Sequence, residues 1–379
     1  MHNSNSLRIV HCFRSPVGGI FRHVRDLIEV QVSLGHQVGI LCDSNTGGEY
    51  EDALFEAISP NLVLGLHRIP MQRKIGASDI AVLWKAYKNI RKLKPDILHS
   101  HGAKGGAYAR LIGLIMRLSG SKVARLYCPH GGSIHFDANT MQGRAYFTLE
   151  RLLQRFTDRL IFVSNYEKQG YIDKVGEPHC PYDVIFNGLK EDEYIPVETS
   201  KDAADFLFIG MMRDLKGPDL FIEALPEVER IIGRKITAHM VGDGPDTQRY
   251  IETVQKMALD NRVKFHPPMR ARQAFSMARV VVVPSRAESL PYIVLETVAA
   301  AKPLVVTNVG GISEIFQGDM SNLVKPDDAN ALANAMSAMI SNTNATAQAI
   351  EMSNNLRGQF SASVMANSVV SAYQSALGK

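Results

Sequence analysis

Apolar residues recur along this chain in two patterns that alternate from end to end. Short runs rich in Val, Ile and Leu, such as Leu7 to Cys12, Val123 to Cys128, Phe206 to Ile209 and Val280 to Val283, suit strands buried on both faces of a parallel sheet. Between them lie stretches with apolar positions three and four apart, the spacing of a helix face. Ser78 to Leu93 is one, apolar at Ile80, Leu83, Trp84, Tyr87 and Ile90; another, with Leu149, Leu152, Leu153, Phe156 and Leu160, runs from Gly143 to Leu160. Strand and helix in alternation predict an α/β fold of doubly wound, Rossmann-like sheets. At 379 residues the chain exceeds one ordinary core, so two domains are expected. The acidic, aperiodic segment Lys190 to Asp205, with Pro196 inside it, is the expected linker. It divides the chain into domains 1–189 and 190–360.

The stretch from Arg279 to Phe316 holds a strand, a loop, a helix, a second strand and a Gly-Gly turn. Pro284 stops the first strand. Ser289 is expected to cap the helix, with Pro291 in its first turn, where a missing N–H costs little. The helix is expected to reach about Ala301, and Gly310-Gly311 opens a turn before another helix. Such a unit suits a right-handed crossover, and ligands of these sheets sit at the carboxyl ends of the strands. Glu288 lies at that end, with Glu296 eight residues on. On one helix they would stand about 12 Å apart, comparable to the span from sugar to ribose in a nucleotide sugar. An ordinary helix with two glutamates is the alternative.

Other strand ends carry further candidates. Gly18-Gly19 follows strand one and opens a helix, where free N–H groups favour an anion; a tight turn is the plain reading. The pair does not fit the dinucleotide pattern G-x-G-x-x-G, which argues against a dehydrogenase. His99 and His101 share one face of a strand. Without a visible third ligand of suitable spacing they predict a cleft lining rather than a metal site, with Lys104 available to an anion. His130 projects from the end of Val123 to Cys128. After Phe206 to Ile209 come Gly210, Arg213 and Lys216, then a helix. Arginine grips phosphate oxygens in a bidentate manner and lysine supplies a compact charge, so this is a candidate diphosphate cradle. Gly242 marks a turn after the next strand.

Composition changes the picture little, at 45% hydrophobic and 21% charged residues. The polar N-terminus lacks a leader's basic and apolar regions, and no run approaches 18 apolar residues. Cys12, Cys42, Cys128 and Cys180 show no metal spacing, so a reducing cytoplasm is expected. Charge placement matters more. Residues 1–190 hold 24 of the 42 Lys and Arg but 16 of the 38 Asp and Glu, a surplus of +8, while the rest carries −4. The basic half predicts an acidic partner, an anionic membrane surface or a phosphorylated acceptor. Ser78 to Leu93, with Lys85, Lys88, Arg91 and Lys92, is either a core helix with a solvated face or a helix lying on such a membrane. Nucleic acid is not expected, since no binding motif is present.

Glu288-x7-Glu296, followed by Gly310-Gly311-Ile312-x-Glu314, resembles the donor-site signature of the family 4 glycosyltransferases. Features similar to the family's recur in order from Gly18 to Pro326. The resemblance implies a GT-B fold, two Rossmann-like domains facing each other across a cleft, the last helix (about 361–379) packing back on the first. It implies a retaining, metal-independent hexosyltransferase that uses a UDP- or GDP-linked sugar and no cofactor. The acceptor would be a glycan or lipid-linked hydroxyl in polysaccharide synthesis, at or near the inner membrane face. His130, Arg213, Lys216 and Glu288 are the implied catalytic residues. Gly18, Gly19, Gly210, Gly242, Ser289, Leu290, Glu296, Gly310 and Gly311 are implied on the donor, and His101 and Lys104 on the acceptor side. The family's commoner form has Arg directly after the glycine, where this chain has Met211. A sugar-nucleotide epimerase of the same fold, or an inactive sugar-nucleotide or lipid-binding module, are the alternatives.

Overall fold

The structure, a computed structural model, describes residues 6–73, 76–317 and 323–378. Residues 1–5, part of the stretch read for a leader, lie outside it. The chain divides into two compact units, one of residues 1–187 with 362–379, the other of residues 188–361.

In the first unit β1 (Arg8–Phe13), β2 (Gln37–Asp43), β3 (Gly65–Ile69), β4 (Ile97–His101), β5 (Ala124–Cys128), β6 (Arg159–Phe162) and β7 (Tyr182–Val184) form one sheet in the order β3-β2-β1-β4-β5-β6-β7. Every pairing is parallel. The central strands β1, β4 and β5 are buried nearly throughout, which is why they read as apolar runs without alternation. Helix Gly102–Leu118 packs close to the sheet because two of its glycines carry no side chain. A Cβ on Gly105 would stand 2.6 Å from the backbone of Cys12 and Phe13, and one on Gly106 would stand 2.4 Å from the Tyr127 ring. The terminal helix, Ala362–Ala376, lies in this unit, with Tyr373 fully buried.

Helix Ser78–Leu93 has the predicted bounds, but its apolar stripe is divided. Tyr87 and Ile90 are in the core, whereas Ile80 and Trp84 are exposed, at 75% and 51%. The helix expected from Gly143 to Leu160 is Met141–Gln154, so Leu160 belongs to β6. Leu152, placed in its buried stripe by spacing, is exposed.

The second unit repeats the theme with β8 (Ala204–Ile209), β9 (Ala238–Val241), β10 (Val263–His266), β11 (Ala278–Val283), β12 (Leu304–Thr307) and β13 (Leu323–Val324), ordered β10-β9-β8-β11-β12-β13 and again all parallel. Strand order reverses between β8 and β11. At such a switch point the loops after neighbouring strands diverge and leave a crevice at their carboxyl ends. The loops with Lys216 and Glu288 follow these two strands. All four cysteines are free thiols.

Candidate functional site

The loop after β8 and the loop after β11 are held together by groups that spacing alone did not single out. Arg286 donates through its backbone N–H to the Leu215 carbonyl at 2.9 Å. Its guanidinium grips both carboxylate oxygens of Asp219, at 2.8 and 2.7 Å, and reaches the Asp214 carbonyl and Asp327. Gly217, in the left-handed region at φ 70°, lies so near the Pro284 carbonyl that a Cβ would be 2.1 Å from it. This docking sets Lys216 beside Glu288.

Lys216 Nζ lies 2.6 Å from Glu288 Oε1, and the Ser285 hydroxyl donates to the same oxygen at 2.8 Å. Glu288 is only 7% exposed while Lys216 reaches solvent. Chemically the pair offers a cation adjacent to a hydrogen-bond acceptor. An ammonium has three N–H donors, so Lys216 can keep Glu288 and still serve an anion.

Three expectations about this stretch are corrected. The helix is Tyr292–Ala299 with Pro291 as its N-cap, so Glu288 is on the loop and the 12 Å estimate for one helix does not apply. Ser289 is no cap. Its carbonyl instead accepts the Gly311 N–H at 2.8 Å, which ties the two loops together. That bond occupies the amide of Gly311, a residue implied on the donor, and the helix behind it, Ile312–Ile315, is a single turn. Gly310-Gly311 therefore serves to admit backbone. Gly310 has φ 63°, and a Cβ there would stand 1.8 Å from the Glu288 carbonyl oxygen. Gly242 acts similarly, with a Cβ position 2.0 Å from the Gly210 carbonyl. Arg213 directly precedes the short turn Asp214–Lys216, its backbone carbonyl accepting the Lys216 N–H at 2.9 Å, and Leu290 is buried beside the helix start.

In the first unit Gly18 and Gly19 begin helix Gly18–Ser33, exposed, with Gly18 at φ 68°. Lys104, expected on the acceptor side and available to an anion, has its ammonium bound to Asp79 at 2.6 Å. Tyr108 donates to the same carboxylate at 2.7 Å.

His99 and His101, read as a cleft lining, lie inside the first unit. Both are buried, and β1 pairing with β4 puts His11 opposite His99. The third imidazole comes from a neighbouring strand, which no spacing within one segment could show. Donor atoms of His11, His99 and His101 lie within 4.8 Å of one another, as do those of His23, His101 and His130. His11 Nδ1 and His101 Nε2 are already 3.0 Å apart, sharing a hydrogen bond. Burial lowers every one of these basicities, His11 to about 4 and His23 to about 3, so the cluster is neutral at pH 7.

His130 sits in a strained turn at φ 50°. The buried Glu167 carboxylate accepts the Gly131 N–H, and the Val163 N–H at 2.8 Å, so it holds this turn against the end of β6. Desolvation pushes its carboxyl up to about 7, against the pull of those N–H donors. Ser164, three residues before Glu167, caps helix Asn165–Val175, its hydroxyl accepting the Glu167 N–H at 3.0 Å.

Comparison with known proteins matches this frame. Residues 17–193 fit the family model described as Glycosyltransferase Family 4, and residues 203–342 that of Glycosyl transferases group 1. The chain belongs to the family 4 glycosyltransferases. It is 24% identical over 330 residues to an uncharacterised glycosyltransferase of Methanocaldococcus jannaschii, covering 82% of each chain. It is 25% identical over 261 residues to a 41.2 kDa protein of the Klebsiella pneumoniae cps region, covering 66% of this chain and 70% of that one. Among solved structures, Anabaena HepE in complex with UDP and glucose superposes with a TM-score of 0.77 at 18% identity, covering 97% of this chain and 100% of that one. The fold of this glycosyltransferase is GT-B. No described helix is long and apolar enough to cross a membrane.

Proposed function

We propose that this glycosyltransferase moves a hexose-type sugar from a UDP- or GDP-linked donor to an acceptor hydroxyl, with retention and without a metal. The observation that carries the reading is the Lys216–Glu288 pair, fixed by Arg286 and Gly310 at the switch point of the second sheet. The C1–oxygen bond to the diphosphate breaks, the sugar gains oxocarbenium character, and negative charge collects on the leaving phosphate. Lys216 and Arg213 stabilise that charge, and Glu288 accepts hydrogen bonds from sugar hydroxyls. The acceptor oxygen bonds to C1 while its proton passes to a phosphate oxygen. Glu296 holds the ribose, and the resemblance assigns His130 to the sugar. Nucleotide-sugar use is supported by the bound UDP and glucose of Anabaena HepE. An acceptor in polysaccharide synthesis is supported by the likeness to the cps-region protein.

A thermal-shift screen tests the donor. At a hundredfold excess over Kd, binding adds about 2.7 kcal/mol and raises Tm by about 3 °C or more. The rise is expected with one UDP- or GDP-sugar and is expected to be lost in Lys216→Ala. If no member of the panel shifts the protein, the donor reading is wrong. Incubation with that sugar alone should leave it unchanged, since an epimerase would convert it.

The exposed part of helix Ser78–Leu93 supports the membrane partner. Lys88 lies over the exposed Trp84 ring, which stacks on the buried Tyr87, so a cation and an aromatic ring share that surface. Binding to phosphatidylglycerol vesicles is expected, weakened by salt and by Trp84→Ala. Equal binding to neutral phosphatidylcholine vesicles would refute the electrostatic part.

A further inference from the structure

The first unit contains a continuous line of hydrogen-bonded imidazoles. His11 Nε2 is 2.9 Å from Gln31 Oε1, His11 Nδ1 is 3.0 Å from His101 Nε2, and His101 Nδ1 is 3.0 Å from His130 Nε2. Gln31, His11 and His101 are buried, so water does not complete the line for them. Gln31 is itself anchored from behind. Its amide nitrogen donates to the Tyr373 hydroxyl at 3.1 Å, and that hydroxyl is 2.7 Å from His99 Nδ1.

A neutral imidazole carries one N–H, and an amide oxygen only accepts. His11 must therefore donate from Nε2 to Gln31, which leaves its Nδ1 bare. That bare nitrogen accepts, so His101 donates from Nε2. His101 Nδ1 is then bare and accepts in turn, so His130 donates from Nε2. One amide fixes three tautomers in succession. At the far end His130 is left with a bare Nδ1, which has no hydrogen-bond partner among the described residues. Tyr373, receiving from Gln31, donates to His99 Nδ1, and His99 Nε2 has no partner.

We propose that Gln31, His11 and His101 are positioning residues that hold His130 in the Nε2–H tautomer, so that its Nδ1 accepts a hydrogen bond from a substrate hydroxyl. The consequence for function rests on the proposed reading that His130 meets the donor sugar; the tautomer itself does not. The arrangement has a physical rationale. An isolated neutral histidine exchanges its proton between ring nitrogens and presents a donor part of the time, whereas a chain ending on an amide oxygen presents only an acceptor. Each bond also polarises the next, so the acceptor strength of the last nitrogen rises along the line. The Glu167-held turn keeps the His130 backbone in place without a charge on the ring.

Long-range proton–nitrogen NMR of the full chain labelled at its histidines reads the tautomers directly and needs no substrate. His11, His101 and His130 are all expected as Nε2–H at pH 7.5. In Gln31→Met, which keeps length and removes the amide, His130 is expected to become a tautomer mixture although it is two imidazoles away. Wild-type His130 found protonated at Nδ1, or a His130 signal unchanged by Gln31→Met, would overturn the proposal, and the first needs no variant to fold. In transfer assays Gln31→Met is expected to lower kcat/KM about fivefold, the size of one neutral hydrogen bond, with Tm nearly kept. His11→Gln is expected to behave likewise. If the tautomers are as stated and kcat/KM is unaltered, the role assigned to His130 on the sugar falls. Titration with Co2+ closes the other case: stoichiometric tetrahedral absorption bands, lost in His99→Ala, would show a metal on the nitrogens the line uses and overturn it.

Discussion

Lys216→Ala is expected to lower kcat for sugar transfer by about 10²- to 10³-fold, equivalent to about 3–4 kcal/mol of transition-state stabilisation. The reason is the position of its charge. Lys216 approaches through a turn that Gly217 and Arg286 press against the end of β11, so its ammonium cannot be replaced by a neighbour's without moving backbone. The lysine side of the pair is partly exposed and Ser285 still donates to Glu288, so loss of the lysine should cost stability about 1–3 kcal/mol, a small shift for a chain of this length. Circular dichroism and Tm are therefore expected to stay close to wild type while turnover collapses. Near wild-type kcat in a folded Lys216→Ala protein would remove Lys216 from the leaving-group role.

The same geometry predicts strong coupling. Glu288 Oε1 accepts from both Lys216 and Ser285, so Glu288→Gln alters the acceptor and the lysine's surroundings together. The double variant is expected to be less impaired than the product of the two single losses. Strict multiplicativity would mean that the two side chains act on separate parts of the donor.

Much of this was readable because parallel sheets write themselves into sequence. Val280 to Val283 is a strand because only a doubly covered strand tolerates four consecutive β-branched residues, and the candidates then follow at its carboxyl end. What spacing could not show is how loops from distant strands use their backbone. The Gly310-Gly311 turn reads as a donor contact when viewed along the chain, yet its left-handed glycine and the Gly311 amide both serve the Glu288–Ser289 loop. Arg286 does not stand out along the chain, because an arginine beside an apolar strand has no local signature. Its partners Asp219 and Asp327 are 67 and 41 residues away. Histidines followed the same rule. His99 and His101 were visible as a pair, but His11 and Gln31 join them only through strand order, and Tyr373 only through the terminal helix.

The buried histidines also set the response to acid. Their native basicities lie below the unfolded value, so the stability gained by keeping them neutral is complete above pH 6.5 and is lost as pH falls through about 4 for His11 and about 3 for His23. For His11 alone the full difference is worth about 3 kcal/mol. His99, His101 and His130 shift in the same direction. Glu167 opposes them. Its native pKa of about 7 is raised above the ordinary 4.5, so its contribution is complete below pH 4.5 and lost as pH rises through 7. Five imidazoles outweigh one carboxyl, and the first unit is expected to unfold between pH 6.5 and 4 in denaturant concentrations that leave it folded at pH 7.5. Trp84, the chain's one tryptophan, lies in this unit and its fluorescence can follow the transition. Glu167→Gln should steepen the loss of stability between pH 7 and 4.5, because the opposing slope is gone, whereas His11→Gln should flatten it by up to one proton. A denaturation midpoint that does not change between pH 7.5 and 4.5 in the wild type would mean that these histidines are charged, or reached by water, in the folded protein.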